Sequence, residues 1–382
     1  AFGAQHVDFL VPNRFDFGYG LTPEIVEVAN EWRPDLIITV DNGISCVKGV
    51  AAANAKGIDV IVTDHHLPGE QLPDAIAIVN PNQNGCEFPS KQLAGVGVIF
   101  YVMLALRRHL VDQNYFAQNN ITLPNMGQFL DLVALGTVAD VVPLDKNNRI
   151  LVHQGLSRIR AGKCRPGILG LLSIAKREVS KLQASDLGFA IAPRLNAAGR
   201  LDDMSLGIEC LLAETIEQAH LMAEQLDQLN IERRAIEKEM QSQAMNVIEQ
   251  LHLNNDQLPA ALCLYEETWH QGVIGILAGR IKEKIHRPVI AFAKGDNNEL
   301  KGSARSIPGI HIRDVLQNIS ARHPHLMKKF GGHAMAAGLS LAVEHLPTFA
   351  EAFQQEIKTQ LSEQNLVAEI MTDGELNLEQ FS

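Results

Sequence analysis

The chain has no C-x-x-C spacing, no even set of cysteines, no surplus of basic charge and no long apolar run. Each absence removes a class of protein. The five cysteines (Cys46, Cys86, Cys164, Cys210 and Cys263) are odd in number and scattered. That argues against a disulfide framework or a zinc ribbon, and for a reducing, cytoplasmic setting. No stretch approaches the roughly 18 uninterrupted apolar residues of a membrane span, so no membrane role is expected. The first residues, Ala1-Phe2-Gly3-Ala4-Gln5-His6, carry neither the basic start nor the apolar stretch of a secretion signal. They also lack an initiator Met, and a processed or truncated chain is expected. Lys and Arg number 33 against 44 Asp and Glu, a net charge of −11, so a broad basic footprint is missing. Net acidity does not exclude a polyanionic substrate, because local arginines or bound cations invert the field inside a cleft.

What is present is an ordinary globular composition. Of 382 residues, 46% are hydrophobic and 20% charged, enough length and apolar content for about two or three domains with real cores. His6 to Val11 reads as a short strand. Thr22-Pro23-Glu24 reads as a helix start, with a hydroxyl cap, Pro at the first position and an acid in the first turn. Leu36–Val40 and Asp59–Thr63 are β-branched runs expected to be buried on both faces, separated by a helix from about Ser45 to Lys56. Strand, helix, strand at this spacing predicts a right-handed βαβ unit and a parallel sheet. Gln92 to about Ala213 is mostly helical in pattern. From Glu214 to about Leu251 there is no Gly or Pro, and apolar residues recur at steps of three, four and seven. One helix of about 38 residues is expected, with two helices and a frayed joint as the alternative. Beyond Asn254-Asn255-Asp256, strands at Ala260–Tyr265 and Pro288–Ala293 flank a helix near Val273–Lys284. The fold class is α/β, with a second, smaller α/β domain.

Two side-chain sets follow the first two parallel strands. Asp41 ends one; Asp64-His65-His66 ends the other, and open α/β sheets bind ligands at such carboxyl ends. Asp41-Asn42-Gly43 would also serve as a plain turn, whereas two imidazoles with a carboxylate have no common structural use. That donor set suits Mn²⁺, Fe or Zn better than Ca²⁺. Asp140, after an apolar helix, is a candidate third acid. In the second domain, Trp269–Val273 precedes a helix whose first amides can hold an anion, Arg280 lies on that helix, and Ser303 and Arg305 follow a turn at Gly302. Aromatics are 5% of the chain, a thin base for stacking, with Tyr265 and Trp269 the nearest candidates.

T-V-D-N-G (Thr39–Gly43), T-D-H-H (Thr63–His66) and G-T-V-A-D (Gly136–Asp140) resemble successive motifs of the DHH phosphoesterase superfamily. A-P-R-L-N-A-A-G-R (Ala192–Arg200), S-A-R-S (Ser303–Ser306) and F-G-G-H-A-M-A-A-G (Phe330–Gly338) resemble its single-strand exonuclease branch, collinearly over essentially the whole chain. The resemblance implies a DHH catalytic domain at 1–212, a connecting helix at 213–252 and a DHHA1 substrate-binding domain at 253–382. It implies Asp41, His65 and Asp140 as ligands of Mn²⁺ or Mg²⁺, with Asp41 bridging to a second ion. His66 would sit beside the scissile phosphate, with Asp64 orienting the histidine pair from behind. Arg280, Ser303 and Arg305 would cradle a 5′-phosphate, His333 would touch the scissile phosphate, and Arg194, Asn196 and Arg200 would face the DNA backbone.

The implied activity is 5′-to-3′ hydrolysis of single-stranded DNA in repair and recombination, by a monomer meeting a helicase and a single-strand-binding protein. Relatives acting on short oligonucleotides or cyclic dinucleotides, and silent nucleic-acid-binding scaffolds, are the alternatives. The family also carries an earlier Asp-x-Asp motif with no counterpart before His6, which implies an N-terminally incomplete domain and an incomplete two-metal site. Asp373-Gly374-Glu375-Leu376 resembles the lead-in to a nucleic-acid-binding barrel that the sequence does not contain.

Overall fold

The computed structural model describes residues 2–12, 17, 20–250, 259–296, 298–361, 372, 374 and 375. They fall into two compact units, Ala1–Ile231 and Glu232–Ser382.

The first unit opens with α1 (Pro23–Asn30), β1 (Leu36–Val40), α2 (Val47–Ala55), β2 (Asp59–Thr63) and β3 (Ala77–Val79). Thr22 caps α1, its Oγ1 accepting from the Ile25 N–H at 3.4 Å, and Pro23 takes the first helical position. The sheet order is β1-β2-β3, all parallel, with Val40 opposite Thr63. Ile25 and Val26 of α1, Val50 and Ala53 of α2, and Val60 and Val62 of β2 form one buried cluster. Two expectations fail here. His6–Val11 forms no strand, and β1 is not covered on both faces: Leu36, Ile38 and Val40 are 40–49% exposed. An unbroken apolar run marks a strand but does not say what lies over it, and α1 and α2 cover only the face that carries Ile37.

A helical region follows: α3 (Gly95–Asp112), α4 (Tyr115–Gln118), α5 (Leu130–Ala139), α6 (Lys146–Arg160), α7 (Pro166–Ile174), α8 (Ala184–Asp186), α9 (Ala192–Leu201) and α10 (Ser205–Leu212). Its core gathers Ile159, Ile168, Leu171, Leu172, Leu187 and Ile191, all fully buried. Each such side chain contributes about 1.5–3 kcal/mol of transfer free energy. α11 (Ile216–Gln250) is one unbroken helix of 35 residues, about 52 Å long, so the two-helix alternative is not realised. The boundary between the units falls within it.

The second unit holds β4 (Leu262–Tyr265), α12 (Ile274–Ile285), β5 (Val289–Lys294), β6 (Glu299–Arg305), α13 (Ile312–Arg322), β7 (Lys329–Gly332), β8 (Ala336–Ala342) and α14 (Leu346–Gln360). The strands order as β4-β5-β6-β8-β7; β4 and β5 are parallel and every other pairing is antiparallel. Phe292, Leu341, Val315, Leu316, Phe349 and Phe353 are fully buried between sheet and helices. The expected turn at Gly302 is instead the middle of β6, opposite Phe292. β6 alternates half-buried polar residues with buried Leu300, Gly302 and Ala304, and inward residues this small leave little hydrophobic pattern to read. The expected break at Asn254-Asn255-Asp256, and Asp373 and Leu376, lie outside the described residues.

Candidate active site

The register of β1 on β2 brings their carboxyl ends level, and the Asp41 N–H extends the ladder to the Thr63 carbonyl at 3.0 Å. Asp41 sits at φ 64°, an unusual left-handed conformation for a non-glycine residue. Its side chain is set against the first turn of α3. A Cβ on Gly95 would stand 2.7 Å from Asp41 Cβ and 2.8 Å from Asp41 Cγ, so only glycine fits there. His65 Nε2 lies 3.0 Å from Asp41 Oδ1 and 3.4 Å from Asp140 Oδ2. Ligand atoms of Asp41, His65 and His66 all lie within 4.8 Å of one another.

Asp64, 1% exposed, fixes the loop. Its Oδ2 accepts from the Ile44 N–H at 3.0 Å, and its Oδ1 from the His65 and His66 N–H groups at 2.7 and 3.1 Å. His66 Nδ1 lies 2.7 Å from the same Oδ1. Burial acts to raise the Asp64 pKa, but these hydrogen bonds outweigh it and hold the carboxyl below its ordinary range. The Asp64 contact raises His66 above the usual imidazole value. For His65, burial acts to lower the pKa, and the carboxylates of Asp41 and Asp140 overcome it and raise it. Asp140 is pushed up by burial and then by the charge of Asp41. It caps the carboxyl end of α5, where the helix dipole already disfavours an anion. Two carboxylates crowding one imidazole at such a place fit a divalent cation.

In the second unit, Ser303 and Arg305 project from β6, with Arg305 Nη1 3.0 Å from Ser303 Oγ and 2.8 Å from the Ala304 carbonyl. A Cβ on Gly275, in the first turn of α12, would come 2.9 Å from Arg305 Nη2 and 3.0 Å from Ser303 Oγ. A half-buried guanidinium is thus held against a helix amino terminus, where the dipole favours negative charge, and burial lowers its pKa. An anion between them would satisfy both. Arg280 is more exposed and pairs with Glu237 at 3.3 Å and Glu283 at 3.7 Å. His333 lies in the turn between β7 and β8, its N–H donating to the Ala336 carbonyl, and Ala336 is opposite Arg305. His333 and Arg305 therefore share one end of the sheet.

The third predicted group, on α9, divides. Asn196 is exposed and Arg200 half-buried, whereas the Arg194 guanidinium is held by Asp227 at 2.8 Å and the Ala190 carbonyl at 2.6 Å. Trp269, a candidate for stacking, is 4% exposed and donates its indole N–H to Gln243 Oε1 at 2.8 Å; its face is committed to the core. Tyr265 packs against the sheet's own core.

Residues 1–137 match the family model of the DHH family, N-terminal domain, and residues 258–359 that of the DHHA1 domain. A crystal structure of exonuclease RecJ bound to manganese superposes with a TM-score of 0.74 at 30% identity, covering 94% of this chain and 85% of that one. The chain belongs to the RecJ family. The single-stranded-DNA-specific exonuclease RecJ of Escherichia coli (strain K12) is 57% identical over 98% of this chain and 65% of its own length. RecJ from Thermus thermophilus in complex with Mn²⁺ superposes with a TM-score of 0.72 at 31% identity, over 88% of this chain and 47% of that one. The chain thus spans about two thirds of the length of curated RecJ sequences that it matches, 65% for the one from Escherichia coli and 66% for the one from Salmonella typhimurium. The RecJ match adds no residue geometry of its own, and two supports escaped the sequence reading. Asn80 Nδ2 donates to the His66 carbonyl at 2.9 Å and Asn82 Nδ2 to the His65 carbonyl at 2.6 Å. The available signal was Asn80-Pro81-Asn82, a third polar set placed directly after a parallel strand.

Proposed function

We propose that the chain is a metal-dependent phosphodiesterase that removes nucleotides from the 5′ end of single-stranded DNA. The observation that carries this reading is the convergence of Asp41, His65 and Asp140 within 3.4 Å of one imidazole nitrogen. Mn²⁺ or Mg²⁺ held by these residues would supply Lewis acidity and a water of lowered pKa. The protein's own groups would do the rest. Asp64 locks the loop and the orientation of His66, and a protonated His66 would offer positive charge to the scissile phosphate. Arg305, Ser303 and the first turn of α12 would hold a terminal phosphate, with Arg280 close along the same helix and His333 at the same sheet end. Asn196 and Arg200 would follow the strand's backbone, with Arg194 bracing their helix.

The domain reading is 1–212 for catalysis, 213–252 for the connecting helix and 253–382 for substrate binding. A cytoplasmic, monomeric enzyme of DNA repair and recombination, working beside a helicase and a single-strand-binding protein, completes it. Among the described residues no helix is long and apolar enough to cross a membrane. The test is incubation with Mn²⁺ and a 5′-labelled single strand beside the matching duplex. Labelled mononucleotides from the single strand alone are expected. Equal release from both, or release only from fragments of a few nucleotides, would overturn the substrate assignment.

A further inference from the structure

α8 and α9 are parts of one continuous helix, Ala184–Leu201, widened at Leu187–Ile191 into a π turn. Such turns are rare and gather at functional sites, because the extra residue re-aims side chains. Around this one burial is nearly complete: Leu187 and Ile191 are fully buried, and Ala190 and Ala192 are 4% exposed. Phe189 is 80% exposed. Among the described aromatics none is as open; Trp32 follows at 52%. Leaving a phenyl ring in water forgoes about 1.5–3 kcal/mol of burial, so packing does not explain it.

Its neighbours along the helix are informative. Phe189, Pro193, Asn196 and Arg200 recur at steps of four, three and four, which places them on one stripe. Leu195, Ala197 and Ala198 are buried on the other side. The π turn packs against α5, and a Cβ on Gly188 would stand 3.3 Å from Val138 Cγ1, two residues before Asp140. An aromatic, an amide and a guanidinium therefore lead away from the end of α5 that carries a metal ligand. Single strands are held by this combination, with ring faces for bases and polar groups for the backbone.

We propose that Phe189 stacks on a nucleobase of the bound single strand, while Asn196 and Arg200 follow that strand's backbone. The inference rests on the nuclease reading and names a residue that would take the base. It requires no sequence preference, since every base offers a π face.

The test is equilibrium binding of a short oligothymidylate, and of the same backbone with abasic sites, by anisotropy with metal chelated. Phe189→Ala is expected to weaken binding of the base-bearing strand about tenfold and leave the abasic strand unchanged. Its melting temperature should match the parent's, since the ring is exposed. Phe189→Trp should restore binding, with indole fluorescence quenched only by the base-bearing strand. Equal binding of both strands by parent and alanine variant overturns the inference, as does an equal loss on both strands, which would assign Phe189 to the backbone or to a protein partner. A parent chain that binds no single strand overturns this inference and the nuclease reading together. A parent that binds but never hydrolyses with Mn²⁺ leaves this inference standing and speaks against catalysis by this chain.

Discussion

In the first unit the chemistry-bearing side chains follow parallel strands whose register brings their ends level; in the second they ride within an antiparallel strand facing the first turn of a helix. The first site concentrates negative charge, two carboxylates on one imidazole, and would be completed by a cation. The second concentrates positive charge, a guanidinium at a helix amino terminus, and would be completed by an anion. The difference teaches how the two are built: the first gathers residues that directly follow three separate elements, β1, β2 and α5, while the second sets Ser303 and Arg305 of one strand against Gly275 of one helix.

The contrast is broken most sharply at Asp41. Asp41→Ala should cut Mn²⁺ affinity and hydrolysis by more than about 100-fold, beyond what losing an outer partner of a metal ligand does. Calorimetric titration with Mn²⁺ checks it, and near-parental binding would remove Asp41 from the site. Gly95→Ala comes next. Its methyl would collide with Asp41, so Mn²⁺ affinity should fall roughly 10–100-fold, as for a displaced outer support, with a loss of about 1–3 kcal/mol in stability from overpacking. Parental Mn²⁺ affinity in a folded variant would show that Asp41 has room to move.

Arg305→Ala sharpens the other half. It should weaken binding of a 5′-phosphorylated strand about tenfold or more, the value of one charge-assisted hydrogen bond of ~1.5–3 kcal/mol. Mn²⁺ affinity should not change, and an equal loss on a 5′-hydroxyl strand would argue against a terminal-phosphate role. The smallest effect is expected at Arg280. The Arg280 side chain is itself 56% exposed and its contacts are 3.3 and 3.7 Å long, so Arg280→Ala should alter stability by less than about 1 kcal/mol in thermal unfolding. A larger loss would mean that Arg280 holds α12 to α11 rather than waiting for a ligand.

The legibility of the two sites in the sequence follows from the same contrast. Asp41 and Asp64-His65-His66 were readable because each directly follows a β-branched strand, and strand ends are local features. Asp140 was readable only through its motif, since nothing in its own segment says that α5 ends beside β1. β6, β7 and β8 escaped because Gly302, Ala304, Gly331 and Gly338 carry almost no hydrophobic signal, so Ser303 and Arg305 were read beside a turn. The support from Gly275 depends on an approach between α12 and β6 that no local pattern announces. Trp269 was misread as available because an indole in a polar segment looks exposed until Gln243, 26 residues earlier, takes its N–H.

The Asp64 carboxylate has a further consequence on a different clock. The amides of Ile44, His65 and His66 lie outside every helix and strand, yet each donates to an acceptor that is 1% exposed. Amide protons in connecting loops ordinarily exchange with solvent through small local openings. Here, freeing any of the three means stranding part of a buried carboxylate. Deuterium labelling should find these loop amides exchanging as slowly as those of β2, and Asp64→Asn should release them while the strand itself stays protected.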